Sequence, residues 1–110
     1  MNIWSYNYMS NRKLHQALSA GELEQIAGRF KMLGEPTRLK ILQSVCQRPR
    51  TVNDIVAATG STQANVSKHL ALLAAAGILK REKDGQCVYY GVKDRLAIKM
   101  CELVRAQLAD

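Results

Sequence analysis

The sequence predicts a mainly α-helical (α+β) fold with a small β-hairpin: a winged helix-turn-helix of about five helices plus a two-stranded antiparallel wing. Three observations predict it. Thr51 to Gly60 is a short helical pattern closed by glycine, and T-Q-A-N-V-S-K-H-L-A-L-L-A-A-A-G from Thr62 is a longer one. R-E-K-D-G-Q-C-V-Y-Y-G from Arg81 then reads as a basic hairpin. A short helix, a sharp turn, a second helix and a cationic hairpin, in that order, point to double-stranded DNA as the partner.

Residues 1–18 interleave Trp4, Tyr6, Tyr8 and Met9 with Asn and Ser and show little amphipathicity, which reads as an N-terminal arm. Residues 19–110 read as one winged helix-turn-helix domain for DNA binding and dimerisation. The first helix follows Ser19 and runs to Leu33, since Leu23, Ile26, Ala27, Phe30 and Leu33 recur at helical spacing and Gly34 supplies a stop. Its apolar face is core or dimer surface. Pro36 suits the first position of a second helix, whose apolar face of Leu39, Ile41, Leu42, Val45 and Cys46 extends to the break at Pro49. Thr51 caps a third helix, Asp54 completes a capping box, and Gly60 ends it in a left-handed conformation.

Ser61 or Thr62 caps the fourth helix, in which Val66, Leu70 and Leu73 share one face. Ala64, Lys68 and Ala71 point the other way, flanked by Asn65 and Ser67, with Gln63 in the first turn. Small residues there permit close approach to a groove. The hairpin pairs Ile78 to Arg81 with Val88 to Tyr90 around an Asp84–Gly85 turn, and Lys80, Arg81 and Lys83 make it cationic. Asp94 opens a last helix whose Leu96, Ala97, Met100, Cys101, Leu103, Val104 and Leu108 form a broad apolar arc. A terminal helix this apolar calls for a partner.

Composition narrows the function classes. The 110 residues carry a net charge of +7, which favours a polyanion through phosphate neutralisation and counterion release, with plain solubility as the alternative. No apolar run approaches the roughly 20 residues needed to span a bilayer, so the expectation is a cytoplasmic protein without a membrane partner. Three widely spaced cysteines, Cys46, Cys87 and Cys101, argue against a disulfide framework. With two histidines, no Gly-rich phosphate loop and no nucleophile–base set, no catalytic residues and no enzyme are expected.

M-L-G-E-P-T-R-L-K-I-L from Met32, S-K-H-L from Ser67 and D-G-Q-C-V-Y-Y from Asp84 together resemble the ArsR/SmtB family of small bacterial repressors. The resemblance covers about two-thirds of the chain. It implies a homodimer joined through the first and last helices, bound to an imperfect inverted-repeat operator and released by an inducer. It also implies that the fourth helix enters the major groove and that Gln63, Asn65, Ser67, Lys68 and His69 inherit the recognition role; Ala64 joins the DNA-contact set by its place on the helical wheel.

Each residue also has its own chemistry. The amides of Gln63 and Asn65 match an adenine edge, Lys68 suits guanine or phosphate, and Ser67 suits phosphate. Arg81 and Lys83 would grip the backbone or the minor groove beside the site. His69 lies only about 60° around the helix from Val66, so a packed structural imidazole competes with base contact.

The family's metal-ligand positions are mostly vacant here. Thr51, Val52 and Asn53 stand where arsenic and cadmium sensors carry C-x-C, and Asp94 is retained but Leu96 stands where zinc sensors have histidine. No resident cofactor and no metal site are therefore expected. Cys46 and Cys101 are the candidate sensing thiols, for a sulfur species, an oxidant or a thiophilic metal(loid). They are displaced from the positions near Gln43 and Ala109 used by the family's sulfide sensors. Packing is the alternative for both, and Cys87 reads as a strand residue. Two further alternatives are a winged-helix protein-interaction adaptor and a family member that senses no metal.

Overall fold

The computed structural model describes residues 17–109, so most of the arm read from residues 1–18 lies outside the described residues. Ser19 starts α1 (Ala20–Leu33) with a closed capping box: its hydroxyl accepts the Glu22 amide at 3.1 Å, and its own amide donates to the Glu22 carboxylate at 3.0 Å. Of the apolar stripe on α1 only Leu33 is buried, while Leu23, Ile26 and Phe30 face solvent. Glu35 and Pro36 start α2 (Pro36–Val45); the Glu35 carboxylate accepts the Thr37 and Arg38 amides at 3.1 and 3.0 Å, and proline needs no such partner.

Helix α2 buries Ile41, Leu42 and Val45 but leaves Leu39 exposed, and it ends at Val45 instead of reaching Pro49. The cause lies downstream. Arg50 and Thr51 form a short strand, β1 (Arg50–Thr51), opposite Tyr90 and Tyr89, and the Arg95 guanidinium donates to the Cys46 carbonyl at 3.1 Å. The chain therefore leaves the helix early. Thr51 also caps α3 (Val52–Thr59), its hydroxyl accepting the Asp54 amide at 3.2 Å; only this arm of the expected capping box forms. Gly60 ends α3 at φ +70°, where a side chain would be strained, and donates to the Val56 carbonyl.

Thr62 caps α4 (Gln63–Ala75) by accepting the Asn65 amide at 3.1 Å. The wing consists of β2 (Leu79–Asp84) and β3 (Cys87–Val92). The expected two-stranded wing is in fact the larger part of a three-stranded antiparallel sheet in the order β1-β3-β2. Asp84 pairs with Cys87, so the tight turn is Gly85–Gln86, one residue later than the sequence predicts. Only Gly85, at φ +64°, has positive φ there, as a type II′ turn requires.

Asp94 caps α5 (Arg95–Leu108) by accepting the Leu96 amide at 3.0 Å. One continuous core gathers Leu33, Ile41, Leu42, Val45, Ile55, Val66, Leu70, Leu73, Ile78, Leu79 and Ala97. Helix α5 contributes only Ala97 to it and leaves Leu96, Leu103, Val104 and Leu108 exposed.

Candidate nucleic-acid interface

Helix α4 is held by one face and open on the other. Val66, Leu70 and Leu73 are fully buried, which anchors the helix along its length. Gln63, Ala64, Ser67, Lys68 and Ala71 are exposed, and Asn65 is half-buried at the edge. The open face thus presents two small side chains, Ala64 and Ala71, between the polar groups of Gln63, Ser67 and Lys68. That relief suits insertion into a groove lined with donors and acceptors.

His69 departs from the rest of the set. It is 7% exposed, below the open face, and its ring is enclosed by the joint between α1 and α2. Nδ1 lies 3.3 Å from Arg38 Nη1 and Nε2 lies 3.5 Å from the Glu35 carboxylate. Arg38 in turn donates from Nε to the Met32 carbonyl at 2.6 Å and from Nη2 to the Lys31 carbonyl at 3.2 Å, satisfying the end of α1. A ring held this way cannot reach a base edge, so His69 leaves the contact set and becomes the strut between α4 and the α1–α2 joint. The Thr37 amide foremost, with the Arg38 amide and guanidinium, holds the Glu35 carboxyl below its ordinary value against the opposing effect of burial.

The wing has two chemically distinct faces. Lys80 is paired with Glu82 at 2.8 Å, so its charge is answered locally. Arg81 and Lys83 alternate with them onto the opposite face, and neither has an ion-pair partner among the described residues. The strand β3 approaches the chain before β1 so closely at Gly91 that a Cβ there would meet Pro49 Cγ at 3.2 Å. This contact presses the sheet against the segment that carries Arg50. Sequence reasoning misses Arg50 altogether, because a two-residue strand has no periodicity to detect.

The cysteines are separated. Cys46 closes α2 and its thiol donates to the Gln43 carbonyl at 3.2 Å, whereas Cys87 is exposed near the wing turn. Cys101 lines an apolar groove of about 370 Å³ with Phe30, Leu33, Leu39, Met100, Val104 and Leu108. Burial pushes its thiol up, toward the less reactive protonated form. At the head of α5, Asp94 pairs with Arg29 of α1, and that bond holds the Asp94 carboxyl below its ordinary value. Among the described residues no three His, Cys, Asp or Glu side chains gather as a metal-binding group, and no helix is long and apolar enough to cross a membrane.

Residues 35–81 match the family profile described as "Bacterial regulatory protein, arsR family". Over 81 residues the chain is 36% identical to the "Probable mercury resistance operon repressor" of Streptomyces lividans, covering 74% of this chain and 65% of that protein. It is 34% identical over 73 residues to the arsenical resistance operon repressor of Bacillus subtilis, covering 66% of this chain and 70% of that one. The fold superposes with a TM-score of 0.73 at 28% identity on a homodimeric winged helix-turn-helix DNA-binding domain from Mycobacterium bovis, described as "a possible ArsR-family transcriptional regulator". That match covers 86% of this chain and 90% of the other.

Proposed function

Because the chain belongs to the arsR family of bacterial regulatory proteins, we propose that it is a homodimeric, sequence-specific DNA-binding transcriptional repressor released from its operator by an inducer. The observation that carries this reading is the two-sided α4, locked to the core by Val66, Leu70 and Leu73 and presenting Gln63, Ala64, Ser67 and Lys68 outward. In this reading Gln63 and Asn65 address base edges, Ser67 and Lys68 set register on the backbone, and Arg81 and Lys83 grip the flanking phosphates. Such work places the protein with the chromosome in the cytoplasm.

The experiment is a duplex titration in rising salt. A steep negative slope of log K against log salt is expected, and the double variant Lys68→Ala with Arg81→Ala flattens it. If that variant bound every promoter fragment as tightly as the wild type, the groove-and-wing assignment would be abandoned. An adaptor that binds proteins alone is disfavoured by the cationic, small-residue surface of α4.

Dimerisation through α1 and α5 completes the proposal. Phe30 and Val104 are 60% and 58% exposed and Leu108 81%, an apolar surface that a second copy would cover. For the inducer, Cys101 and Cys46 are the candidate thiols for a sulfur species or a thiophilic metal(loid), with Cys101 set in the apolar groove beside the proposed dimer surface. Operator release by arsenite, persulfide and peroxide is compared in wild type, Cys46→Ser and Cys101→Ser. Equal release by all three proteins removes both thiols from the mechanism.

A further inference from the structure

We propose that Arg29 and Asp94 are positioning residues for operator reading: their pair sets the angle at which α1 stands on its own protomer, and through it the separation of the two recognition helices in a dimer. Neither side chain needs to touch DNA. Both act through the elements they join.

Helix α1 has little else to fix its direction. Its residues from Ala20 to Lys31 are exposed, Met32 is half-buried and only Leu33 reaches the core. On the helical wheel Leu23, Ile26 and Phe30 form the apolar side left for a second copy, and Gln25, Gly28, Arg29 and Met32 lie on the other. That other side faces Ala76 and Ile78, at the end of α4, across an open cleft of about 370 Å³. A cleft is not a packed seam, so it transmits no orientation. The polar links from α1 to the body must do so. Among the described residues these are Arg38, which holds the Lys31 and Met32 carbonyls, and Arg29, which pairs with Asp94.

Asp94 is a meeting point of several elements. Its carboxylate caps α5 by accepting the Leu96 amide at 3.0 Å, so it is already ordered where Arg29 reaches it. The bond from Arg29 is the largest influence on that carboxyl. The Asp94 amide donates to the Ile78 carbonyl at 3.1 Å, and the Ile78 amide donates to the Leu73 carbonyl of α4 at 3.0 Å. Arg95, the next residue, holds the Cys46 carbonyl beyond the end of α2. A swing of α1 is therefore passed to the last turn of α4 and the start of the wing. In a twofold dimer the swing acts twice, and recognition helices that must match half-sites a fixed distance apart register it as an error of spacing.

The inference rests on the reading of the protein as a DNA-binding dimer, and its test separates the two. Selection from a random duplex pool by the wild type supplies a sequence with two half-sites. A single half-site duplex, and versions with the spacer one base pair longer or shorter, are made from it. The proteins are wild type, Arg29→Gln, Arg29→Lys, Asp94→Asn and Lys99→Gln, each confirmed folded by circular dichroism. Arg29→Gln lowers affinity for the selected duplex by about fivefold, leaves the half-site duplex unchanged and flattens the preference among spacers. Asp94→Asn, whose amide oxygen still caps α5, does the same, and Arg29→Lys keeps the wild-type preference. Lys99→Gln removes an equal charge from a pair confined to α5 and leaves the spacer preference intact. A wild-type spacer preference in Arg29→Gln overturns the inference and leaves the DNA-binding reading standing. Equal losses on the full and half-site duplexes, or for Arg29→Gln and Lys99→Gln, overturn it as well, since charge alone then accounts for the effect. A wild type that selects no two-half-site sequence overturns both.

Discussion

Nη1 of Arg38 lies 3.3 Å from Nδ1 of His69, and because a guanidinium can only donate, Nδ1 must be the acceptor. The imidazole is then the neutral tautomer protonated at Nε2, the nitrogen that faces the Glu35 carboxylate at 3.5 Å. One side chain of α4 thereby meets two groups at the α1–α2 joint, and Arg38 extends the link to the last carbonyls of α1. The recognition surface and the exposed helix α1 are parts of one hydrogen-bonded unit.

Arg38→Met should destabilise the fold by about 1–3 kcal/mol, because it strands Nδ1 of His69 and the Met32 carbonyl without donors. Urea unfolding measures this. A double-mutant cycle with His69→Leu should show coupling on the order of 1 kcal/mol. Additive effects would mean that the 3.3 Å contact does not operate in solution.

Acid should loosen this joint and the link between α1 and the head of α5. Glu35 and Asp94 both have carboxyls held below their ordinary values, Glu35 mainly by the Thr37 amide and Asp94 mainly by Arg29. A group whose folded pKa is depressed stabilises the fold above its unfolded pKa, and that contribution is lost as pH falls through the folded value. Thermal stability should therefore decline from about pH 4 downward. In Glu35→Gln with Asp94→Asn the decline over that window should be shallower, at the cost of lower stability at neutral pH.

Sequence readout and phosphate contact should separate by residue. Gln63→Ala should relax base preference at one operator position by about 1–3 kcal/mol and leave the salt slope alone, whereas Lys68→Ala should lower the slope. In vitro selection from a random duplex pool, with a salt series on the winning sequence, gives both quantities. A reduced salt slope for Gln63→Ala would reassign Gln63 to the backbone.

Val104→Glu should convert the dimer to monomer. A carboxylate placed in the apolar groove between Phe30 and Leu108 would have to be desolvated, at about 3 kcal/mol, or roughly two decades in the dimer constant. Sedimentation velocity at micromolar concentration shows the shift. A dimer that persists would move the interface off α1 and α5.

Alkylation by iodoacetamide should modify Cys87 well before Cys101. Cys87 is exposed, while burial pushes the Cys101 thiol up and leaves little thiolate to react. Intact-mass and peptide analysis over time gives the order of reaction. Early modification of Cys101 would show the groove to be open and that thiol available to a signal.

What the sequence by itself determined was everything written as a local period or cap. Ser19, Pro36, Thr51, Thr62 and Asp94 start their helices because a side-chain oxygen or a missing N–H answers the unpaired amides of a first turn. The spacing of Val66, Leu70 and Leu73 is enough to put Gln63, Ser67 and Lys68 on the outside of α4, since a helix that buries one face must turn the other to solvent. Tertiary structure decided what depends on residues far apart in the chain. Arg38 meets His69 across 31 positions and turns an expected contact residue into a buried strut. Arg50 joins Tyr90 across 40 positions, adding a strand too short to have a period and a cation that no motif announces. Short-range hydrogen bonds and helical periodicity are properties of neighbouring residues. Which polar groups are buried together, and which cations share a sheet face, is settled only when distant segments pack.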